Sequence, residues 1–114
     1  MRIVWLEPAI LDLQRFRDFI QLHNKEAAQR AVRIIRATVA HIAANPHIGK
    51  PVDDLPDYHD IVIPFGASGY LLRYRIQGET IIIIALKHCK EAGFSEQSPA
   101  LWVVKELGET AYGM

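Results

Sequence analysis

Cysteine is all but missing. Cys89 is the one cysteine in 114 residues, so no internal disulfide can form and no cysteine set exists for a structural zinc, which fits a reducing cytosol. Net charge of either sign is also lacking, since thirteen Lys and Arg face thirteen Asp and Glu. No global attraction to nucleic acid or to an anionic membrane is therefore expected, nor any direct sequence-specific DNA binding, and an anion site would have to be local. Long hydrophobic runs are absent: the longest, Ile81 to Leu86, is far short of a bilayer span, and no signal peptide or membrane helix is expected. There is no glycine-rich phosphate loop, nucleophile elbow or paired-carboxylate motif.

What is present suits one small core. Hydrophobic residues make up 50% and charged residues 23% of the chain, a balance that buries roughly two thirds of the unfolded surface in a single domain over residues 1–114. Arg2 to Leu6 reads as a short strand, followed by a helix start at Glu7-Pro8. Ala9, Ile10, Leu13, Phe16, Phe19 and Ile20 then recur at helical spacing as an apolar face, with Asp12, Gln14, Arg15, Arg17 and Asp18 on the other, to an end near His23. Asn24 is an N-cap for a second helix, whose stripe of Ala27, Ala28, Ala31, Val32, Ile35, Thr38, Val39 and Ile42 runs until Asn45-Pro46 stops it. So short a connection predicts an antiparallel helical hairpin. Asn45 to Tyr58, with Pro46, Gly49, Pro51 and Pro56, reads as a loop. Three strands follow over Asp60–Pro64, Gly69–Ile76 and Thr80–His88, joined by hairpin-length turns. The fold class is α+β in the order β-α-α-β-β-β, a helical hairpin packed on a mainly antiparallel sheet. Ser98-Pro99 marks the start of a short C-terminal helix through Leu107.

Period-two alternation puts Tyr70, Leu72, Tyr74 and Ile76 on one face of the middle strand and Leu71, Arg73 and Arg75 on the other. The two arginines are either ordinary solvent-facing residues or part of a binding surface. In the last strand the same alternation groups Ile81, Ile83 and Ala85 against Ile82, Ile84 and Leu86. Both faces are apolar, so something must cover the second one: the tail, with Leu101, Trp102, Val103, Val104 and Leu107, or a partner's helix or strand. Lys87, His88 and Lys90 close the strand, where a histidine between amines can bind phosphate, exchange protons, or simply hold structure. His23, His41, His47 and His59 lack metal-site spacing, so neither metal nor cofactor is expected. Cys89 reads as an incidental thiol.

Several fragments, taken in order, resemble the RelE/ParE superfamily of small bacterial toxins, and its ParE branch most. Trp5 followed by Ala9, Asp12 and Leu13 resembles the aromatic strand end and Ala-x-x-Asp-Leu helix start of that family. Asn24-Lys25-Glu26-Ala27-Ala28 resembles its Asn-x-x-Ala-Ala, and Asn45-Pro46-His47-Ile48-Gly49-Lys50-Pro51 its Asn-Pro-x-x-Gly-x-Pro. Ile61-Val62-Ile63-Pro64, Gly69-Tyr70-Leu71-Leu72-Arg73-Tyr74-Arg75 and Ile83-Ile84-Ala85-Leu86-Lys87-His88-Cys89-Lys90 resemble its three-strand meander. Residues 91–114 lie outside the match as a C-terminal extension.

The resemblance implies the toxin of a type II toxin-antitoxin, or plasmid stabilisation, system. Such a toxin is cytoplasmic, inhibits growth by binding DNA gyrase, and is neutralised by a cognate ParD-like antitoxin in a toxin-antitoxin hetero-oligomer. The antitoxin would cover the apolar sheet face through Leu71, Arg73, Arg75, Ile81, Ile83 and Ala85. On the RelE alternative, a metal-independent, ribosome-dependent endoribonuclease would draw its catalytic groups from Arg73, Arg75, Lys87, His88 and Lys90. Against it, Leu71 stands where RelE-like nucleases tend to carry arginine, and no tyrosine follows His88. A third alternative is a non-toxic, partner-binding relative, since His59 replaces a usual arginine and the chain is neutral.

Overall fold

The computed structural model describes residues 1–66 and 68–89. The elements are β1 (Arg2–Trp5), α1 (Glu7–Gln21), α2 (Lys25–Ala44), β2 (Lys50–Pro51), β3 (Tyr58–Phe65), β4 (Ser68–Gln77) and β5 (Thr80–His88). They form one sheet in the order β1-β5-β4-β3-β2, with β1 parallel to β5 and every other pair antiparallel. Both helices pack on the same face of this sheet. The expected α+β class, a helical hairpin on a mainly antiparallel sheet, is the observed one, with one more strand, β2, than the expected order held, and the proposed helix over 98–107 lies outside the described residues. No described helix is long and apolar enough to cross a membrane.

Local chemistry explains the helix boundaries. Glu7 and Pro8 occupy the first turn of α1, where the missing proline N–H costs no hydrogen bond and the acid meets the positive end of the helix dipole. Asn24 caps α2, its side-chain oxygen accepting from the Ala27 amide at 2.9 Å. From there Ala28, Ala31, Ile35, Val39 and Ile42 are buried at three- and four-residue spacing. Of these, Ile35, Val39 and Ile42 meet Ala9 and Phe16 of α1 and Ile63, Tyr70, Leu72, Tyr74, Ile81, Ile83 and Leu86 of the sheet in one core.

Four details depart from the pattern read above. Asp12 is buried, not solvent-facing, because at three residues past Ala9 and four before Phe16 it falls on the inward stripe. Phe19 and Ile10, assigned to the apolar face, are 62% and 40% exposed, since they flank that stripe on either side. The segment read as a loop contains β2, an edge strand too short for any periodicity, with Lys50 opposite Asp60 and Pro51 opposite His59. Most consequential is β5: Arg73 pairs with Ala85 but Tyr74 pairs with Ile83, so Ile84 is an extra residue, a β-bulge. Beyond it the alternation slips by one. Ile81, Ile83 and Leu86 point under the helices, while Ile84 and Ala85 group with Ile82 on the opposite face. The expected grouping of Ala85 with Ile81 and Ile83 is therefore corrected.

Candidate partner-binding surface

Three strands lay out the helix-free face as rows. Val62, Leu71 and Lys87 form one row, Asp60, Arg73 and Ala85 the next, and Tyr58, Arg75 and Ile82 the third. Arg73 is held by Asp60 in a forked ion pair, Nε to Oδ1 at 2.7 Å and Nη2 to Oδ2 at 2.9 Å. Two parallel bonds of this kind fix the guanidinium plane and satisfy a charge that is only 5% exposed. Arg75 lies over the Tyr58 ring at 6.0 Å and donates to Gln77. Leu6, Tyr58, Leu71 and Ile82 complete an apolar patch around Ile84 and Ala85.

The candidate residues divide between the two faces. Leu71, Arg73, Arg75, Ala85 and Lys87 share the helix-free one. His88 lies on the other, its ring 5.4 Å from Tyr70 and 6.5 Å from Phe16. Ile81 and Ile83, assigned to partner contact, are fully buried under the helices and form core. Lys90 lies outside the described residues. Among those described, no group of three or more histidine, cysteine or acidic side chains is placed to hold a metal ion.

Two structural anchors escaped the pattern analysis. Asp12 reaches from α1 to the edge of β5 past the point where β1 ends: its Oδ2 accepts from the Leu86 amide at 3.3 Å, and its Oδ1 faces Arg15 at 3.4 Å. The carboxylate thus takes over an N–H that a longer β1 would have used. Asp12→Ala is expected to cost about 1–3 kcal/mol through the orphaned amide, with faster hydrogen exchange at Leu86, and Asp12→Asn less. Unchanged exchange at Leu86 in the alanine variant would remove this role. The signal was available in the spacing of Ala9, Asp12 and Phe16.

The second anchor is Tyr74, whose hydroxyl donates to the Pro46 carbonyl at 2.7 Å and accepts from the Gly49 amide at 2.9 Å. It pins the loop after α2 to the middle of the sheet. Gly49 is required there: a Cβ would stand 2.8 Å from that hydroxyl and 3.0 Å from the Asp60 carbonyl oxygen. His59 stacks on Tyr74 at 5.4 Å, with His47 against it edge-on at 5.6 Å. Burial pushes the Tyr70 and Tyr74 phenols and the Cys89 thiol above their ordinary pKa values.

This fold and grid have known counterparts. The family model for the ParE toxin of type II toxin-antitoxin systems, parDE, matches residues 3–93, from β1 to just past β5. The chain belongs to the ParE toxin family. Toxin RelE3 of Caulobacter vibrioides is 28% identical to this ParE-family chain over 92 residues, spanning 80% of it and 98% of the relative. Among solved structures, a chain of the chromosomal ParDE system from P. aeruginosa superposes with a TM-score of 0.63 at 22% identity, covering 79% of this chain and 97% of that one. A mutant of E. coli toxin RelE in its free state gives 0.57 at 14% identity, covering 88% and 95%. The structural likenesses are of fold. Two of the fragments quoted above have definite places in the fold: Asn45 to Pro51 contains the loop that Tyr74 pins, and Asp12 is the carboxylate that reaches β5.

Proposed function

We propose that the chain is the toxic half of a toxin-antitoxin pair and stops growth by binding its target, DNA gyrase, in the cytoplasm without covalent chemistry of its own. The observation that carries this reading is the split of the candidate groups between the two faces. A nuclease of this kind needs a proton-transferring group and phosphate-clamping cations around one reacting phosphate. Here His88 packs with Phe16 and Tyr70 on the helix side, while Arg73, Arg75 and Lys87 belong to the other face and Arg73 is committed to Asp60. The ParE family match over most of the chain supports the same choice.

The antitoxin belongs on the helix-free face. Leu71 and Arg75, both half-buried, offer apolar and cationic contact there, with Ala85 and the Arg73 pair beneath them. A ParD-like segment with apolar and acidic side chains suits that mixture.

Tightly controlled induction in a bacterial culture lacking the antitoxin tests this, with plasmid supercoiling and messenger integrity read from the same cells. Growth arrest with relaxed plasmid and intact messenger is the expected result. Arrest with normal supercoiling and cleaved messenger would replace it with the endoribonuclease. Unimpeded growth at good soluble expression would leave a partner-binding protein without toxicity.

A further inference from the structure

Exposed apolar side chains on a small domain are ordinarily scattered one by one. Here four of the seven large hydrophobics exposed among the described residues belong to α1 and its cap: Ile10, Leu11, Phe19 and Leu22. Ile10 lines the groove between α1 and α2 together with Leu13, Gln14 and Arg17. The other three lie on the outer side of α1, away from that groove, and are 55%, 62% and 81% exposed. Leu22 keeps a right-handed helical backbone, so it continues the surface of the helix.

Spacing joins these residues into a seam. Leu11, Arg15, Asp18 and Leu22 follow one another at intervals of four, three and four, the spacing by which one helix meets another along its length. The seam also reads the same from either end, a leucine outside and a charge inside, with the two charges unlike. Laid antiparallel against a second α1, Leu11 meets Leu22 of the other copy at both ends, and Arg15 meets Asp18 of the other copy twice in the middle. A parallel arrangement sets arginine beside arginine and aspartate beside aspartate, which is repulsive. We propose that the outer side of α1 is a self-association surface, on which a second copy of this chain docks α1 against α1 in that antiparallel register, about a two-fold axis midway between Arg15 and Asp18.

Attraction and register come from different residues. The leucines supply the buried apolar surface. Within one copy Arg15 already faces Asp12 at 3.4 Å and Asp18 takes Arg17 at 3.1 Å, so the charges contribute direction rather than strength. Phe19, edge-on to His23 at 5.5 Å, forms the rim. A net charge of zero puts no long-range repulsion between the copies. The contact is isologous, using one patch on both partners, and therefore closes at two. From Leu11 to Leu22 it runs about 16 Å along the helix, much less than the roughly 20–30 residues a side of a standard interface. The dimer is accordingly weak and forms as concentration rises. Because α1 packs on the sheet face opposite Ile84 and Ala85, joined copies keep both helix-free faces open, and each could carry an antitoxin there. That consequence alone rests on the function proposed above.

Sedimentation equilibrium of the full-length chain provides the test. Over the micromolar to millimolar range its average mass should climb from the monomer toward the dimer and no further. Leu11→Glu and Leu22→Lys should each weaken self-association about tenfold or more, because an isologous contact carries every substitution twice. Both positions are exposed, so circular dichroism should show the fold unchanged. An equimolar mixture of the two variants discriminates the register. In the antiparallel pairing the new glutamate of one chain meets the new lysine of the other, while the opposite end keeps both leucines, so the mixture should associate where neither variant does alone. Val62→Asp, exposed on the helix-free face, should leave association as it is. A chain that stays monomeric throughout would overturn the proposal and leave the outer side of α1 to a partner of another kind. So would association that survives both leucine variants, a mixture no better than its parts, association lost on Val62→Asp, or growth beyond the dimer. None of these readouts depends on toxicity or on the target.

Discussion

Arg73→Ala should lower the unfolding free energy by about 3 kcal/mol, because it strips the partner from a carboxylate in a buried ion pair. The lower end of the usual range applies because the Asp60 side chain keeps 21% of its surface exposed. Urea denaturation measures it directly, and a change below about 0.5 kcal/mol, the scale of an ordinary surface substitution, would show that the fork carries no weight. Asp60→Ala should cost a comparable amount, while the double replacement Arg73→Met with Asp60→Leu should recover most of the loss by packing one apolar pair in place of two charges. This bears on function. A toxin inactivated by Arg73→Ala has lost folding before it has lost chemistry, so activity of that variant must be read beside its stability and beside the double replacement.

Tyr74→Ala is the second large effect, about 3–5 kcal/mol for emptying a fully buried aromatic site. Tyr74→Phe separates the hydroxyl from the ring: it should cost about 1–3 kcal/mol by leaving the Gly49 amide and the Pro46 carbonyl without their partner. Hydrogen exchange at Gly49 should quicken in both variants, and protection kept in Tyr74→Phe would show that the loop is anchored otherwise. The phenol also sets an alkaline limit. Burial, the largest cause, raises the Tyr74 pKa above its ordinary 10.0; the hydrogen bond from the Gly49 amide lowers it in part, and the charge of Asp60 adds a smaller raise; burial likewise raises Tyr70. A raised phenol pKa gives stability that is complete below the unfolded value and is lost as pH rises through the folded one. Denaturation midpoints should therefore hold up to about pH 10 and fall above it. The fall should be shallower in Tyr74→Phe, with Tyr70 still contributing.

Much of this architecture can be read from local chemistry. Asn24 as a cap, the alanine-rich stripe through Ile42, and the alternation of Tyr70 to Ile76 each follow from a periodicity that one element imposes by itself. The features that escaped depend on distant residues. Nothing about Ile84 marks it as the bulged residue, because a run of four isoleucines looks the same in any register and only the pairing with Arg73 and Tyr74 shows the slip. That one-residue slip moved Ala85 to the helix-free face, leaving Ile81 and Ile83 as core rather than contact surface. β2 is defined wholly by its bonds to β3, and the Asp60 fork by a neighbour thirteen residues away. Asp12 is the instructive middle case: helical spacing placed it inward, but its charge argued outward, and the amide of Leu86 decided between them.

The parallel pairing of β1 with β5 joins Arg2 to Thr80 and Trp5 to Ile83, which gives the molecule a history as well as a shape. During synthesis the helical hairpin is complete at Ala44, but the strand that buries its stripe ends only at His88. At about 5–20 residues per second the ribosome needs about 2–9 s to cross that interval. Each nascent chain spends those seconds as two helices with nothing beneath them, and β1 waits without a neighbour. Yield in the cell should accordingly follow translation speed and chaperone supply more closely than it follows the stability of the finished fold.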